Sequence, residues 1–463
     1  MGNDFSWLMK LSARSVVAPA GHGKTELLAR AAAQGQRTLI LTHTHAGVHA
    51  IAARAKRLGI AKDCVTIDTI AGWASRYAYA FPKIAGDPPR DPKGAEWNQV
   101  YQGALNVLSN PVTQRIVQAS YDRAFIDEYQ DCESYQHAIA VTLARIIPVL
   151  VFGDPMQGIF EFVETKISWG ERVIPDFPVA AELEEPHRWN ASNPALGMWI
   201  ADTRNRLLAG QPIDLRKGPI TYLPADNAFD MGLFFDGFDN REGSTAAIHC
   251  RRKICDNLAS ATRGAFQAIE EIAAGRLMTF ATQWDCSQTS RQKAEALWSL
   301  LGDTMQRNLS QPVPPEGLYE IDALRQASWD ALINTGSAHS GADVISHERN
   351  HPLSRTFRGE LLNDAKRALG ELAYGRSESL TQACQHARQR LSHTGRPPIK
   401  RVVSTPLLLK GLEFDHVLVP DATHFLSERF AAAKLFYVAI SRAKHSLAIA
   451  SSNPILLFPK PTL

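Results

Sequence analysis

Three short stretches of this 463-residue chain hold side chains suited to handling a polyphosphate. In the first, Ala18-Pro19-Ala20-Gly21-His22-Gly23-Lys24-Thr25, a β-branched run (Val16-Val17) gives way to small residues and then to a helix-forming run from Thr25 to Gln34, stopped at Gly35. Strand, loop and helix in that order aim the loop amides and the helix N-terminus at an anion. Lys24 then supplies a compact positive charge for the outer phosphates, the Thr25 hydroxyl is placed for Mg²⁺, and Gly21 and Gly23 let the backbone come close. The second stretch, Ala124-Phe125-Ile126, is an apolar strand that delivers Asp127 and Glu128. Beside a bound nucleotide, Asp127 would hold the hydrated Mg²⁺ and Glu128 would orient and deprotonate the attacking water. The third is the apolar run Ile146 to Phe152, ending in Gly153-Asp154-Pro155-Met156-Gln157; an amide there both donates and accepts, so Gln157 can report a γ-phosphate. Arg188 reads either as a phosphate clamp or as an ordinary surface arginine. Arg442 falls in the last turn of an expected helix from Ala431 to about Lys444, where it would complement the helix dipole or serve as an arginine finger. The ligand implied is ATP or another NTP, with Mg²⁺.

These residues need a sheet to gather them. Arg37 to His45 reads as a strand that turns polar at its C-terminal end, Ala46 to Ala55 as a helix and Val65 to Ile70 as a further strand. Threonines and histidines at such ends are suited to a phosphodiester backbone, and equally to capping the next helix. From Gly72 to about Val117 the pattern loosens around Tyr77, Tyr79, Phe81, Trp97 and Tyr101, which fits a small insertion with its own aromatic packing. A second set of strands begins after Ile213 and returns at Arg401 to Thr405, Lys410 to Asp415, His416 to Pro420 and Ser446 to Ala450. Between them, residues 256–396 read as almost wholly helical. The expected fold class is α/β, with two parallel-sheet cores: residues 1–190 (insertion at about 72–118) and residues 191–255 with 397–463, the helical insertion sitting in the second.

The net charge of +3 neither requires nor excludes nucleic acid, because a basic groove can hide in a balanced total. Six scattered cysteines, without a paired CxxC, indicate neither a zinc ribbon nor a disulfide framework, and His249-Cys250 with Cys255 and Cys286 reads as packing. No run approaches the roughly 20 apolar residues of a membrane span and no secretory leader precedes the phosphate loop, so a cytoplasmic protein with no membrane partner is expected.

Taken in order, the segments APAGHGKT, TLILTHTH, VTIDTIA, FIDEYQD, VFGDPMQGIF, LEEPHRW, VSTPLLLKGLEFD and LFYVAISRAK resemble the superfamily 1A helicases of the UvrD/Rep/PcrA type. The resemblance covers roughly Val16 to Arg188 and Val402 to Ala450, and Ala18 is the residue that family usually has. It implies two RecA-like P-loop NTPase domains with the nucleotide between them and single-stranded DNA across both. It further implies that Lys24, Thr25, Asp127, Glu128, Gln157, Arg188 and Arg442 surround the triphosphate, within a nucleotide-binding loop running from Ala20 to Glu26. Glu413 would meet the ribose and Gly411 would let its loop turn. Thr42, Thr44, Thr66, Phe160, Phe162 and Thr405 match the family's DNA-facing positions. The chain departs from the family in four places. No glutamine precedes the phosphate loop to read adenine, Glu26 replaces a common arginine, His187 stands where a tyrosine stacks on the base, and Glu161 and Val163 flank Phe162 where arginines are usual.

Two functions from different classes follow. One is a DNA-dependent NTP hydrolase that translocates on single strands and is capable of unwinding. The other is a nucleotide or DNA-end sensor that controls a partner nuclease, as in phage-defence pairs of the Gabija type, to which the shortened middle is similar.

Overall fold

Apolar runs of four or five residues alternating with helix-forming segments can be buried only in a sheet covered on both faces. The computed structural model describes residues 6–35, 37–159, 167–235, 241–263, 265–268, 273–307, 318–384, 400–428 and 431–463, and shows two such sheets. They belong to two compact units. The first gathers Met1–Ile213, Glu428–Ser441 and Leu457–Leu463; the second gathers Asp214–Ser427 and Arg442–Leu456.

The first unit begins with β1 (Arg14–Val17), α1 (Lys24–Ala32), β2 (Thr38–Thr42), α2 (His45–Arg57) and β3 (Val65–Thr69). Four helices follow, α3 (Ile70–Ala80), α4 (Pro82–Ala85), α5 (Trp97–Leu108) and α6 (Pro111–Ser120). It continues through β4 (Arg123–Ile126), α7 (Ser134–Ala144), β5 (Val149–Gly153), α8 (Ile174–Asp176), β6 (Val179–Glu182) and α9 (Pro194–Ala209). Its strands lie in the order β3-β2-β4-β5-β1-β6, and every paired neighbour is parallel. The strand period of two decides which helices cover which face. Val16, Ile40, Phe125, Leu150 and Phe152 pack with Leu27 and Leu28 of α1 and Ile51 of α2. Their neighbours Val17, Leu39, Leu41, Ala124, Ile126, Val149 and Val151 pack on the other face with Trp73, Val107, Ile139 and Leu143. The aromatic segment after Gly72 therefore joins the main core. Trp73 is fully buried and Tyr101 nearly so, each contributing at the upper end of the roughly 1.5–3 kcal/mol typical of a large apolar side chain.

In the second unit come β7 (Ile213–Asp214, at the junction of the two units), β8 (Thr221–Pro224), α10 (Gly232–Phe235), β9 (Thr245–Ile248), α11 (Arg252–Ala261) and β10 (Gln267–Ala268). Helices α12 (Ala273–Cys286), α13 (Ser290–Thr304), α14 (Leu318–Thr335), α15 (Ala338–Asn350) and α16 (Gly359–Ala373) follow, interrupted by the antiparallel pair β11 (Met305–Arg307) and β12 (Ser354–Thr356). The sheet resumes with β13 (Arg401–Ser404) and β14 (Phe414–Val419), then α17 (Thr423–Leu426); α18 (Ala432–Ile440) falls in the first unit, and β15 (Ala443–Ser451) closes the second sheet. The strand order is β10-β13-β9-β14-β15-β8, again parallel at every paired neighbour. Ala247, Val403, Leu418 and Ala448 pack there with Phe234, Leu258 and Phe266, whereas α12 to α16 enclose a core of their own around Trp284, Leu297, Leu332, Ile345 and Leu369.

Two local expectations are corrected. Lys410 and Gly411 lie in a turn, Leu412 and Glu413 are irregular, and the strand begins only at Phe414. The helix expected to run to Lys444 ends at Ile440, because Ala443 already pairs with Phe414 and the Phe414 N–H takes the Arg442 carbonyl at 2.9 Å. Arg442 thus occupies the turn between helix and strand, not the last helical turn.

Candidate active site

Register sets the site. Val17 lies beside Gly153 and Val151 beside Ile126, so β1, β5 and β4 end together and release their loops at one rim of the first sheet. From β1 comes the phosphate loop. Gly21 and Gly23 adopt φ values of +76° and +82°, where a side chain is strained. The Gly21 turn is also fenced: a Cβ there would sit 2.5 Å from the Trp189 ring, and the Arg188 N–H donates to the Gly21 carbonyl at 2.9 Å. Gly23 is the N-cap of α1 and brings no side-chain cap, which leaves the first amides of the helix facing outward for an anion.

Lys24 closes the arrangement. Its ammonium lies 2.8 Å from an Asp127 carboxylate oxygen and also pairs with Glu128. Burial works against the charge on Lys24, but the two carboxylates outweigh it and hold the ammonium above the ordinary lysine pKa. For Asp127, burial pushes the carboxyl upward and Lys24 opposes the push. Glu128 sits at φ 54°, a left-handed backbone that costs a non-glycine residue on the order of 1–3 kcal/mol, and this kink turns its carboxylate back toward Lys24. The donor set fits a magnesium triphosphate. A lysine and outward amides meet the phosphates, while Thr25 and the buried carboxylate of Asp127 offer hard oxygen ligands.

From β5 comes Asp154, fully buried. It accepts the Met156 N–H at 3.1 Å and the Gln157 side-chain amide at 3.1 Å, and it faces the Arg204 guanidinium at 3.3 Å. Arg204 also reaches Glu182 at 2.7 Å; burial lowers its pKa, but Asp154 more than compensates. The Gln130 side chain bridges Glu128 to the Asp154 backbone, receiving the Asp154 N–H at 3.0 Å and donating to the Glu128 carboxylate. The Glu128 carboxylate and the Gln157 amide thus belong to one hydrogen-bond network.

The remaining candidates are distributed as follows. Within the first unit, Arg188 donates to the Ser441 carbonyl, and the exposed His187 ring lies against Gly23. His22 is buried, its Nδ1–H donating to the Ala20 carbonyl at 2.9 Å, and burial lowers its pKa. Glu26 is held between Arg30 and Arg54. Thr42 is buried at the end of β2, the Thr44 hydroxyl caps α2 by accepting the Gly47 N–H at 3.1 Å, and Thr66 is half-buried in β3. In the second unit, Thr405 follows β13 half-buried, Gly411 has φ +82° and Glu413 is exposed. Arg442 is 2% exposed and donates to the Leu412 carbonyl at 3.3 Å. Phe160 and Phe162 lie outside the described residues.

Gln130, Asp154, Trp189 and Tyr437 lie within the sequence motifs but carried no assigned role there, and Arg204 lies outside every motif. Arg204 carried a readable signal. It shares the helical stripe of Leu196, Ile200 and Leu207 in α9, and a charge on a buried stripe demands a buried partner.

Comparison with known proteins meets this geometry. The family model for the UvrD/REP helicase N-terminal domain matches residues 93–178, and that for the UvrD-like helicase C-terminal domain matches residues 403–450, in that order along the chain. These two stretches are thus similar to the two domains of UvrD-like helicases. The loop carrying Lys24 and Thr25 lies ahead of the first matched range. Among solved structures, this chain is similar to the Pif1 helicase from Candida albicans, with 11% identity, a TM-score of 0.41 and coverage of 98% of this chain and 95% of that one. No curated protein matches it. Among the described residues no helix is long and apolar enough to cross a membrane.

Proposed function

We propose that this UvrD-like protein hydrolyses ATP or a related NTP with Mg²⁺ and uses the cycle to move along single-stranded DNA. The observation that carries the reading is the Lys24 ammonium seated between Asp127 and Glu128 at the rim where the phosphate loop emerges. With substrate bound, Lys24 turns from the carboxylates to the outer phosphates and offsets their charge. Glu128, released from Lys24 but still tethered by Gln130, accepts the proton of the attacking water. The Gln157 amide and the Arg188 guanidinium donate toward the terminal phosphate as negative charge spreads over it. Thr25 and Asp127 would hold Mg²⁺, whose positive charge would be supplied against the phosphates. Thr42, Thr44, Thr66 and Thr405 are the described positions assigned to the DNA strand, where contacts of this kind hold any sequence.

Displacement of streptavidin from end-biotinylated single-stranded DNA tests translocation. Displacement from one end only, dependent on ATP, is expected. Brisk DNA-stimulated hydrolysis without displacement from either end would overturn the motor and favour a nucleotide or DNA-end sensor.

A further inference from the structure

A tyrosine ring in the interior of the first unit carries a hydroxyl that packing does not require. Tyr437, on α18, is 1% exposed, and a phenylalanine would fill the same space. What the hydroxyl adds is a polar tether. It receives the Ala20 N–H of the phosphate loop at 2.9 Å, and the Asp154 carboxylate lies beside it. The direction at Ala20 is forced, since an amide N–H can only donate; the phenolic proton is left for the neighbouring carboxylate. The same rule orients Gln157. Its Nε2 donates to the second Asp154 oxygen at 3.1 Å, so the amide cannot turn over without setting its carbonyl against a carboxylate. Arg204 is buried against the same carboxylate, 3.3 Å from Asp154 Oδ1.

We infer that Tyr437 is a positioning residue for hydrolysis: through Asp154 it fixes the orientation of the Gln157 amide, and through Ala20 it anchors the start of the phosphate loop to the same carboxylate. This rests on the phosphoryl-transfer reading of the site. It assigns a part in turnover to a segment remote in sequence from the loop it touches, and that part is distinct from the one proposed for Arg188.

The full-length protein with Tyr437→Phe tests it, alongside Gln157→Ala and the double variant, at a temperature where melting curves show all of them folded. Tyr437→Phe is expected to lower kcat for NTP hydrolysis at least tenfold, with KM and the Kd of a fluorescent NTP analogue moving less than threefold. The double variant is expected to fall no further than Gln157→Ala alone, because both changes cut one link. As a second route to that link, Asp154→Asn is expected to reproduce the loss of kcat. A Tyr437→Phe enzyme within twofold of wild-type kcat, or fully additive losses in the double variant, would overturn the inference. A wild-type protein that hydrolyses no NTP marks failure of the phosphoryl-transfer reading itself, which the wild-type assay alone reveals.

Discussion

At the scale of single residues, the site is a contest for one cation. Lys24 is bound by Asp127 and Glu128 and, in the proposed reaction, must exchange them for phosphate oxygens. Lys24→Ala is expected to abolish hydrolysis, measured as phosphate release, because nothing else in the loop supplies that charge. Glu128→Gln keeps the shape and the contact to Gln130 but cannot take a proton. Turnover is expected to fall about 10²- to 10⁴-fold with nucleotide affinity retained, and normal turnover would remove Glu128 as the base. Lys24, Thr25, Asp127 and Glu128 were readable as chemistry from type and spacing alone. Tyr437 was not, since its partner Ala20 lies 417 positions away and only the folded chain brings a hydroxyl from α18 to the phosphate loop. Thr44 was open to two readings, and the structure shows its hydroxyl already employed as a helix cap.

At the scale of elements, the loop holds its form because neighbouring segments leave it no alternative. Gly21→Ala meets two penalties, roughly 1–2 kcal/mol for a left-handed backbone and displacement of a fully buried Trp189 ring that would stand 2.5 Å from the new Cβ. Gly23→Ala bears the first penalty but meets only the exposed His187 ring, at 3.2 Å. Urea unfolding should show Gly21→Ala as the more destabilised of the two; equal midpoints would deny the Trp189 fence. In the second sheet, His249 is buried at the end of β9, receives the Arg251 N–H at 2.9 Å and lies 2.8 Å from His424 Nδ1. Burial, with His424 beside it, pushes its pKa down to about 4. The unfolded chain therefore binds a proton near pH 6.5 that the folded chain refuses. The associated stability is intact above that pH and is lost as pH falls toward 4, by about 3 kcal/mol in all. Urea titrations between pH 7.5 and 4.5 should show a shallower decline for His249→Gln than for wild type, and parallel declines would contradict it. Strands were legible from their β-branched runs. The end of α18 was not, because Ser441-Arg442-Ala443-Lys444 carries no helix-stopping residue, and pairing of Ala443 with Phe414 is what ends the helix.

At the scale of the whole molecule, two parallel sheets were foreseeable from the alternation of strand and helix signals, but strand order was not, since each β-branched run fits any neighbour equally well. That order is what matters for function, because it places β5 between β4 and β1 and so brings Gln157 to the same rim as Lys24 and Glu128. A motor that grips the backbone and reads no bases should bind poly-dT and mixed sequences alike, with affinity falling steeply as salt rises; salt-insensitive binding would contradict a phosphate grip. The most direct test of the account is release of inorganic phosphate by the wild-type protein with each of the four NTPs and Mg²⁺, with and without single-stranded DNA. The account predicts hydrolysis, led by ATP, that rises when DNA is added. No hydrolysis of any NTP in the presence of DNA would contradict it.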